Sequence, residues 1–181
     1  MKKSLLFITI IILTLSSFAQ SISRAQLRES FLRATGSKKS LDSLTLQLDL
    51  RSQRTPTEEC YLGMCEALQI SDISGMWSKL KMLDRSRGHV GHAVAAAPQD
   101  AELRFLRFML EHNIPSFLGM SGHMTDDLAY VLAHPTFMDD NTELKKITLE
   151  YMLSSKRCTK AQTAMLQQHL SDLTRKQYAE R

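Results

Sequence analysis

The segment Pro98-Gln99-Asp100-Ala101-Glu102-Leu103-Arg104-Phe105-Leu106-Arg107-Phe108-Met109-Leu110-Glu111-His112 constrains this chain more than any other. Projected at about 100° per residue, Leu103, Phe105, Leu106, Phe108, Met109 and Leu110 cover about 220° of the helix circumference. Arg104, Arg107 and Glu111 share a strip only about 60° wide. A helix this apolar cannot lie on a surface, because most of its girth is unfavourable in water. The pattern predicts a central helix with neighbours on both sides. Pro115 disfavours helical geometry at Ile114 and so ends it.

The remaining periodicity is also helical, and no stretch has the sustained alternation of a half-buried strand. Ser23 and Gln26 form a capping box ahead of Leu27 and Phe31, with a stop at Gly36. Leu41, Leu44 and Leu48 make a second stripe. After a loop from Ser52 to Thr57, Pro56 or Thr57 opens a third helix through Tyr61, Leu62, Met64, Cys65 and Leu68. Asp72 is the predicted start of a fourth, carrying Met76, Trp77, Leu80 and Leu83 and either continuing past or breaking near Gly88 and Gly91. Beyond a loop from Ser116 to Gly122, with Phe117 and Leu118 exposed, Thr125 or Asp126 caps a short helix through Leu128, Val131 and Leu132. The run Asp139 to Thr142 supplies caps for the next, with Leu144, Ile147, Leu149, Tyr151, Met152 and Leu153. Thr159 starts the last, with Ala161, Met165, Leu166, Leu170 and Leu173.

Seven or eight helices with short loops predict an all-α fold: stacked antiparallel helix pairs in an α-solenoid, or an irregular bundle. Pro56, Pro98 and Pro135 stand 42 and 37 residues apart, each just ahead of a new helix, a spacing of tetratricopeptide-like size. The small and aromatic positions of a tetratricopeptide unit do not recur at fixed offsets, so only the architecture is expected.

The chain has 181 residues, 43% hydrophobic, with a net charge of +4. Lys2 and Lys3, the apolar run Leu5 to Leu15 and the small residues Ser17 and Ala19 read as a signal peptide at 1–19, cleaved before Gln20. An apolar run of that length rises only about 16 Å as a helix, short of a bilayer core. The expected division is therefore a leader at 1–19, one helical domain over 20–175 and a frayed polar tail at 176–181, exported to the periplasm or extracellular space. Loss of Lys2 and Lys3 lowers the charge to +2. Its cations are scattered among acids, with no basic stripe of the kind a nucleic-acid binder presents. No membrane span is expected after cleavage.

The run from Ala97-Pro98 through Glu102-Leu103-Arg104-Phe105-Leu106-Arg107-Phe108 to Asn113-Ile114-Pro115-Ser116-Phe117-Leu118-Gly119 resembles the hallmark of a family of uncharacterised, exported, all-helical proteins of Gram-negative bacteria. The resemblance extends from about Ser37 to Leu153, with Met120 where the pattern has Tyr. It implies a tetratricopeptide-like exported domain and brings no catalytic or binding residues with it.

Candidate chemistry is sparse. His89 and His92, three apart, face one way on a helix and form the start of a metal site, with His112 or His123 as further ligands. Asp139, Asn141, Glu143 and Glu150 occupy calcium-loop positions, but Leu144 stands where the turn needs Gly, so helix capping is the better account. Gly119-Met120-Ser121-Gly122 is no nucleophile elbow, and nothing local activates a thiol. An odd number of cysteines leaves two readings open: a disulfide from Cys158 to Cys60 or Cys65, or three reduced buried thiols. Arg104, Arg107 and Glu111 either line a groove for a carboxylate or peptide terminus, or pin a neighbouring loop. Arg107 is expected to pair with Glu111, and Arg104 with Asp100, at helical spacing. The reading these residues support is a non-enzymatic, exported interaction or scaffold module of the cell envelope, with a protein or peptide partner and no cofactor. The alternative is a periplasmic metal-binding protein or enzyme using His89 and His92.

Overall fold

The computed structural model describes residues 22–134 and 140–179, with side chains as far as Arg175; the expected leader at 1–19 and its cleavage site lie outside them. Eight α-helices follow in order among the described residues: α1 (Arg24–Gly36), α2 (Lys38–Asp49), α3 (Pro56–Gln69), α4 (Met76–Ala96), α5 (Ala101–Asn113), α6 (Met124–Ala133), α7 (Thr142–Ser154) and α8 (Lys160–Ala179). Short 3₁₀ turns cover Ile70–Asp72 and Ser116–Leu118. There is no strand among these residues, so the chain is all-α as the periodicity predicts.

Local chemistry sets most boundaries. Ser23 with Gln26 and Thr55 with Glu58 make reciprocal capping boxes, and Pro56 sits where its missing N–H costs nothing. Ser37 is extended and serves as both the C-cap of α1 and the N-cap of α2, accepting from the Ser40 N–H. Two ends differ from expectation. Helix α4 begins at Met76, not Asp72, because Gly75 at φ 85° breaks the chain there. It then runs through Gly88 and Gly91, since Leu83, Ser86, Val90, Ala93 and Val94 form one buried face that outweighs the propensity cost of glycine. The backbone also stays helical to Ala179, through most of the tail expected to fray at 176–181.

From α1 to α6 each helix packs on the next in sequence, as α7 does on α8, and α1 also touches α3 as α3 touches α5. Helix α5 is central, as its wide apolar arc requires. Leu103, Leu106 and Leu110 join a first core built from α1 to α4, while Phe105 and Phe108 join a second built with α6, α7 and α8. The tightest helix contact is α3 on α4. A Cβ at Gly63 would lie 2.7 Å from the Ser86 carbonyl oxygen and 2.8 Å from Val90 Cγ2, so glycine permits the approach. The Ser86 hydroxyl donates to the Gly63 carbonyl at 2.8 Å within the same contact.

Candidate functional site

Two charged clusters and one apolar cleft adjoin the central helix, and a third charged cluster lies beside it between α3 and α4. In the first cluster, Glu102 of α5 is almost wholly buried and accepts from Arg28 Nε at 3.0 Å and Nη2 at 2.8 Å. It also accepts from the Tyr61 hydroxyl at 2.7 Å and from Arg24 at 3.1 Å. Arg28 extends its remaining arm to Asp140, ahead of α7, at 2.7 Å. Side chains from α1 and α3 therefore converge on one carboxylate of α5. The Glu102 hydrogen bond, opposed by burial, holds the Arg28 guanidinium above its ordinary range, and burial followed by the adjacent Glu102 charge drives the Tyr61 phenol well upward. A pair this buried persists only because each oxygen is satisfied.

The second cluster corrects the pairings expected for Arg104, Arg107 and Glu111. Arg107 holds the fully buried Asp127 of α6 with two bonds of 2.7 Å, and Arg104 adds a third at 3.1 Å. Arg104 also donates to the Pro98 carbonyl and lies 4.2 Å over the Tyr130 ring. Asp100, the expected partner of Arg104, instead caps α5 and binds Arg24 at 2.5 Å. Glu111 accepts from the backbone N–H of His123 at 2.9 Å and lies 2.7 Å from His123 Nδ1. The carboxylate of one helix thus caps the start of another. For that reason α6 begins at Met124 with no side-chain cap of its own, rather than at Thr125 or Asp126. The charged strip is the seat of α6.

The third cluster lies between α3 and α4. His89 Nδ1 is 2.6 Å from Glu59, and its Nε2 is 3.6 Å from Glu66; Arg85 reaches Glu66 at 2.5 Å. Burial raises the Glu66 carboxyl above the ordinary range, against the opposing pull of His89 and Arg85. His89 and His92 do not share a ligand: His89 faces α3, and His92 is exposed. His123 is engaged by Glu111, and His112 stacks on Phe108 with its edge to Tyr151. Among the described residues no three His, Cys, Asp or Glu side chains gather to hold a metal ion. Asn141 caps α7, where the calcium-loop positions fall.

Of the two readings left open for the cysteines, the structure has the reduced one: Cys158 is bridged to neither Cys60 nor Cys65, and all three are free. Cys60 and Cys65 are sealed in the first core, whereas Cys158 packs against the second. Burial pushes the Cys60 thiol well up and Cys65 to about 12, so neither is a nucleophile at neutral pH. The Ser121 hydroxyl donates to the Glu111 carbonyl and belongs to a loop contact.

The cleft opens where α1, α3, α5 and α7 meet. It encloses about 100 Å³, and its walls include Phe31, Leu32, Phe105, Leu106, Ile147 and Tyr151. Leu32 and Ile147 stand at its mouth, 40% and 42% exposed. Arg28 and Tyr61 reach its wall with hydrogen bonds already committed to Glu102 and Asp140. The arrangement suits an apolar side chain and brings no activated acid, base or nucleophile to bear on it.

Glu102, Asp127, Arg28 and Tyr61 were not singled out by sequence reasoning, yet a signal was there. Glu102 lies about 40° from Leu106 on the helical wheel, and Asp127 is one turn before Val131. A charge inside an apolar arc requires a buried partner. No helix among the described residues is long and apolar enough to cross a membrane. No protein-family model, curated protein or solved structure matches the chain.

Proposed function

We propose that the protein is a non-enzymatic interaction module, exported to the bacterial cell envelope, which receives an apolar anchor of a protein or peptide partner in the cleft between α1, α3, α5 and α7. The observation that carries this reading is the cleft itself: apolar walls, two half-exposed aliphatic residues at its mouth, and polar groups whose bonding is already complete. Helices α1 to α6, which pack in sequence order with α1 also on α3 and α3 on α5, support a solenoid-like stack of the tetratricopeptide type, an architecture suited to holding peptides. Export rests on the leader at 1–19 and on the resemblance of the Pro98 to Gly119 run. The partner's contribution is an aromatic or branched aliphatic side chain entering beside Leu32 and Ile147. Such an anchor, desolvated in a pocket, carries most of the energy of a small interface.

A photo-crosslinking residue at position 32 or 147, in cells, tests the reading. The expected result is one defined adduct from either position and none from a control at Gln168 on α8, with loss of the adduct in a Leu106→Trp variant whose larger ring fills the cleft. Adducts equal to the control, or undiminished when the cleft is filled, would sink the proposal. N-terminal sequencing of the mature protein tests export: a first residue other than Gln20 rejects the predicted cleavage.

A further inference from the structure

His89 faces α3 with both of its ring nitrogens, and only one of the two contacts can be a donation unless a proton is added. Nδ1 lies 2.6 Å from Glu59 Oε1, and Nε2 lies 3.6 Å from Glu66 Oε1. A neutral imidazole has a single N–H. Donated to Glu59, it leaves the lone pair of Nε2 facing a carboxylate oxygen. Glu66 makes that conflict severe, because it is 1% exposed and neither of its oxygens accepts a hydrogen bond. Arg85 approaches one of them at 2.5 Å without the alignment of a hydrogen bond.

The charges around the imidazole call for the same proton. Asp49 of α2 and Glu59 and Glu66 of α3 face Arg54, which precedes α3, and Arg85 of α4. Three carboxylates thus meet two guanidiniums, while His92, one turn further along α4, is exposed. The other neighbours of α4 direct their charges elsewhere. Asp72 of the 3₁₀ turn goes to Lys38, Glu102 of α5 to Arg28, and Arg104, Arg107 and Glu111 to the start of α6. Burial moves the Glu66 carboxyl upward, against His89 and Arg85. Burial opposes ionisation of Glu59 too, yet Arg54 and then His89 hold it below the ordinary range, so the proton belongs on the Glu66 side of the ring.

The contact fastens a stretch of helix that has little else to hold it. No residue of α4 before Leu83 is buried. Trp77 is 85% exposed and Met76 68%, although spacing alone assigns both to the apolar face. We propose that Glu59, His89 and Glu66 form a proton-operated latch: one proton between His89 Nε2 and Glu66 clamps the amino-terminal half of α4 to α3, and its loss releases that half. Histidine is the side chain whose charge ordinarily changes between about pH 5 and 8. The clamped form binds the proton more tightly than the released one, so the clamp is present at the acid end of that range and is lost as pH rises. Tyr61, the residue α3 lends to the cleft, lies about 200° around the helix from Glu59, so the latch is independent of the proposed anchor site.

Hydrogen exchange of the full chain, read by mass spectrometry from pH 5 to 8 and corrected for the intrinsic pH dependence of amide exchange, tests the latch. Protection of residues 76–87 is expected to fall about tenfold across that range, the equivalent of one pH unit of coupling, while α5 keeps its protection. Glu66→Gln turns an uncharged amide donor toward the Nε2 lone pair and should hold the protection of residues 76–87 constant with pH. His89→Gln should show the released level throughout. Circular dichroism establishes that each variant is folded, and the wild-type profile decides alone if one is not. Flat protection of residues 76–87 in the wild type overturns the proposal, as does a fall shared equally by all the helices. A fall that persists undiminished in either folded variant also overturns it.

Discussion

The cores on the two sides of α5 share a wall and differ in everything else. Nineteen buried apolar residues, drawn from α1 to α5 and Ile114, make the first among the described residues; eight, from α5 to α8, make the second. The first also encloses the Glu102 cluster and the close α3–α4 contact at Gly63. The second depends on the aromatic group of Phe105, Phe108 and Tyr151 and on the Asp127 clamp. Apolar burial scales with area, so the larger core carries more of the stability and the smaller one is the first to open. Helix α5 is not equally held on its two faces.

Substitutions can break that comparison, and the buried acids give the largest expected effects. Glu102→Ala leaves Arg28 buried without its partner and is expected to cost about 3–5 kcal/mol. Asp127→Ala should cost less, about 2 kcal/mol, because Arg104 and Arg107 keep 20% and 15% exposure and can turn to water. Urea denaturation measures both; equal losses would mean that the two cores are alike.

Leucine truncation sharpens the point through cooperativity. Leu62→Ala and Leu166→Ala each remove a fully buried side chain and should cost about 2–4 kcal/mol. In native-state hydrogen exchange, Leu166→Ala is expected to speed exchange in α7 and α8 while α3 and α4 keep their protection. Leu62→Ala should weaken every helix. Uniform loss in both variants would show one cooperative unit. A smaller effect, about 1–3 kcal/mol, is expected for Gly63→Ala, whose methyl meets backbone at Ser86.

The smallest effects are in pH dependence, and here two acids of α3 oppose each other. Burial would raise the Glu58 carboxyl, but the Thr55 and Ile22 N–H groups and Arg51 hold it below the ordinary value of 4.5. Its contribution to stability is present above that value and lost as pH falls through the folded-state value. Glu66 has the opposite shift, so the folded state binds its proton more tightly than the unfolded chain. Stability therefore falls as pH rises from about 4.5 through the raised value. Glu66→Gln should flatten that decline, and Glu58→Gln should flatten the acid loss. Thermal melts from about pH 2 to 8 check both.

What the sequence made legible was local. Helical periodicity, the capping boxes at Ser23 and Thr55, and the wide arc of α5 depend on residues within a turn or two of one another, and each appears as a helix, a boundary or a central position. What it hid was distant. Arg28 and Glu102 are 74 residues apart, and Arg107 meets Asp127 across 20. Helical spacing instead suggested the nearer partners Glu111 and Asp100. The start of α6 was misjudged because its cap is supplied by another helix. Trp77 fell on an apolar stripe because periodicity cannot tell how far a neighbour extends. Of the candidate site, only the charged strip was visible, and the cleft was not, since four separate helices make it.

The shared wall also has a meaning in time. A chain that emerges amino end first can close its larger core once Ile114 is free, with every helix it needs already present and each packed on one close in sequence. At that moment Phe105 and Phe108 still face water on the far side of α5. The finished half is then a template for the unfinished one, and it presents an aromatic face to any other chain until α6, α7 and α8 arrive to cover it.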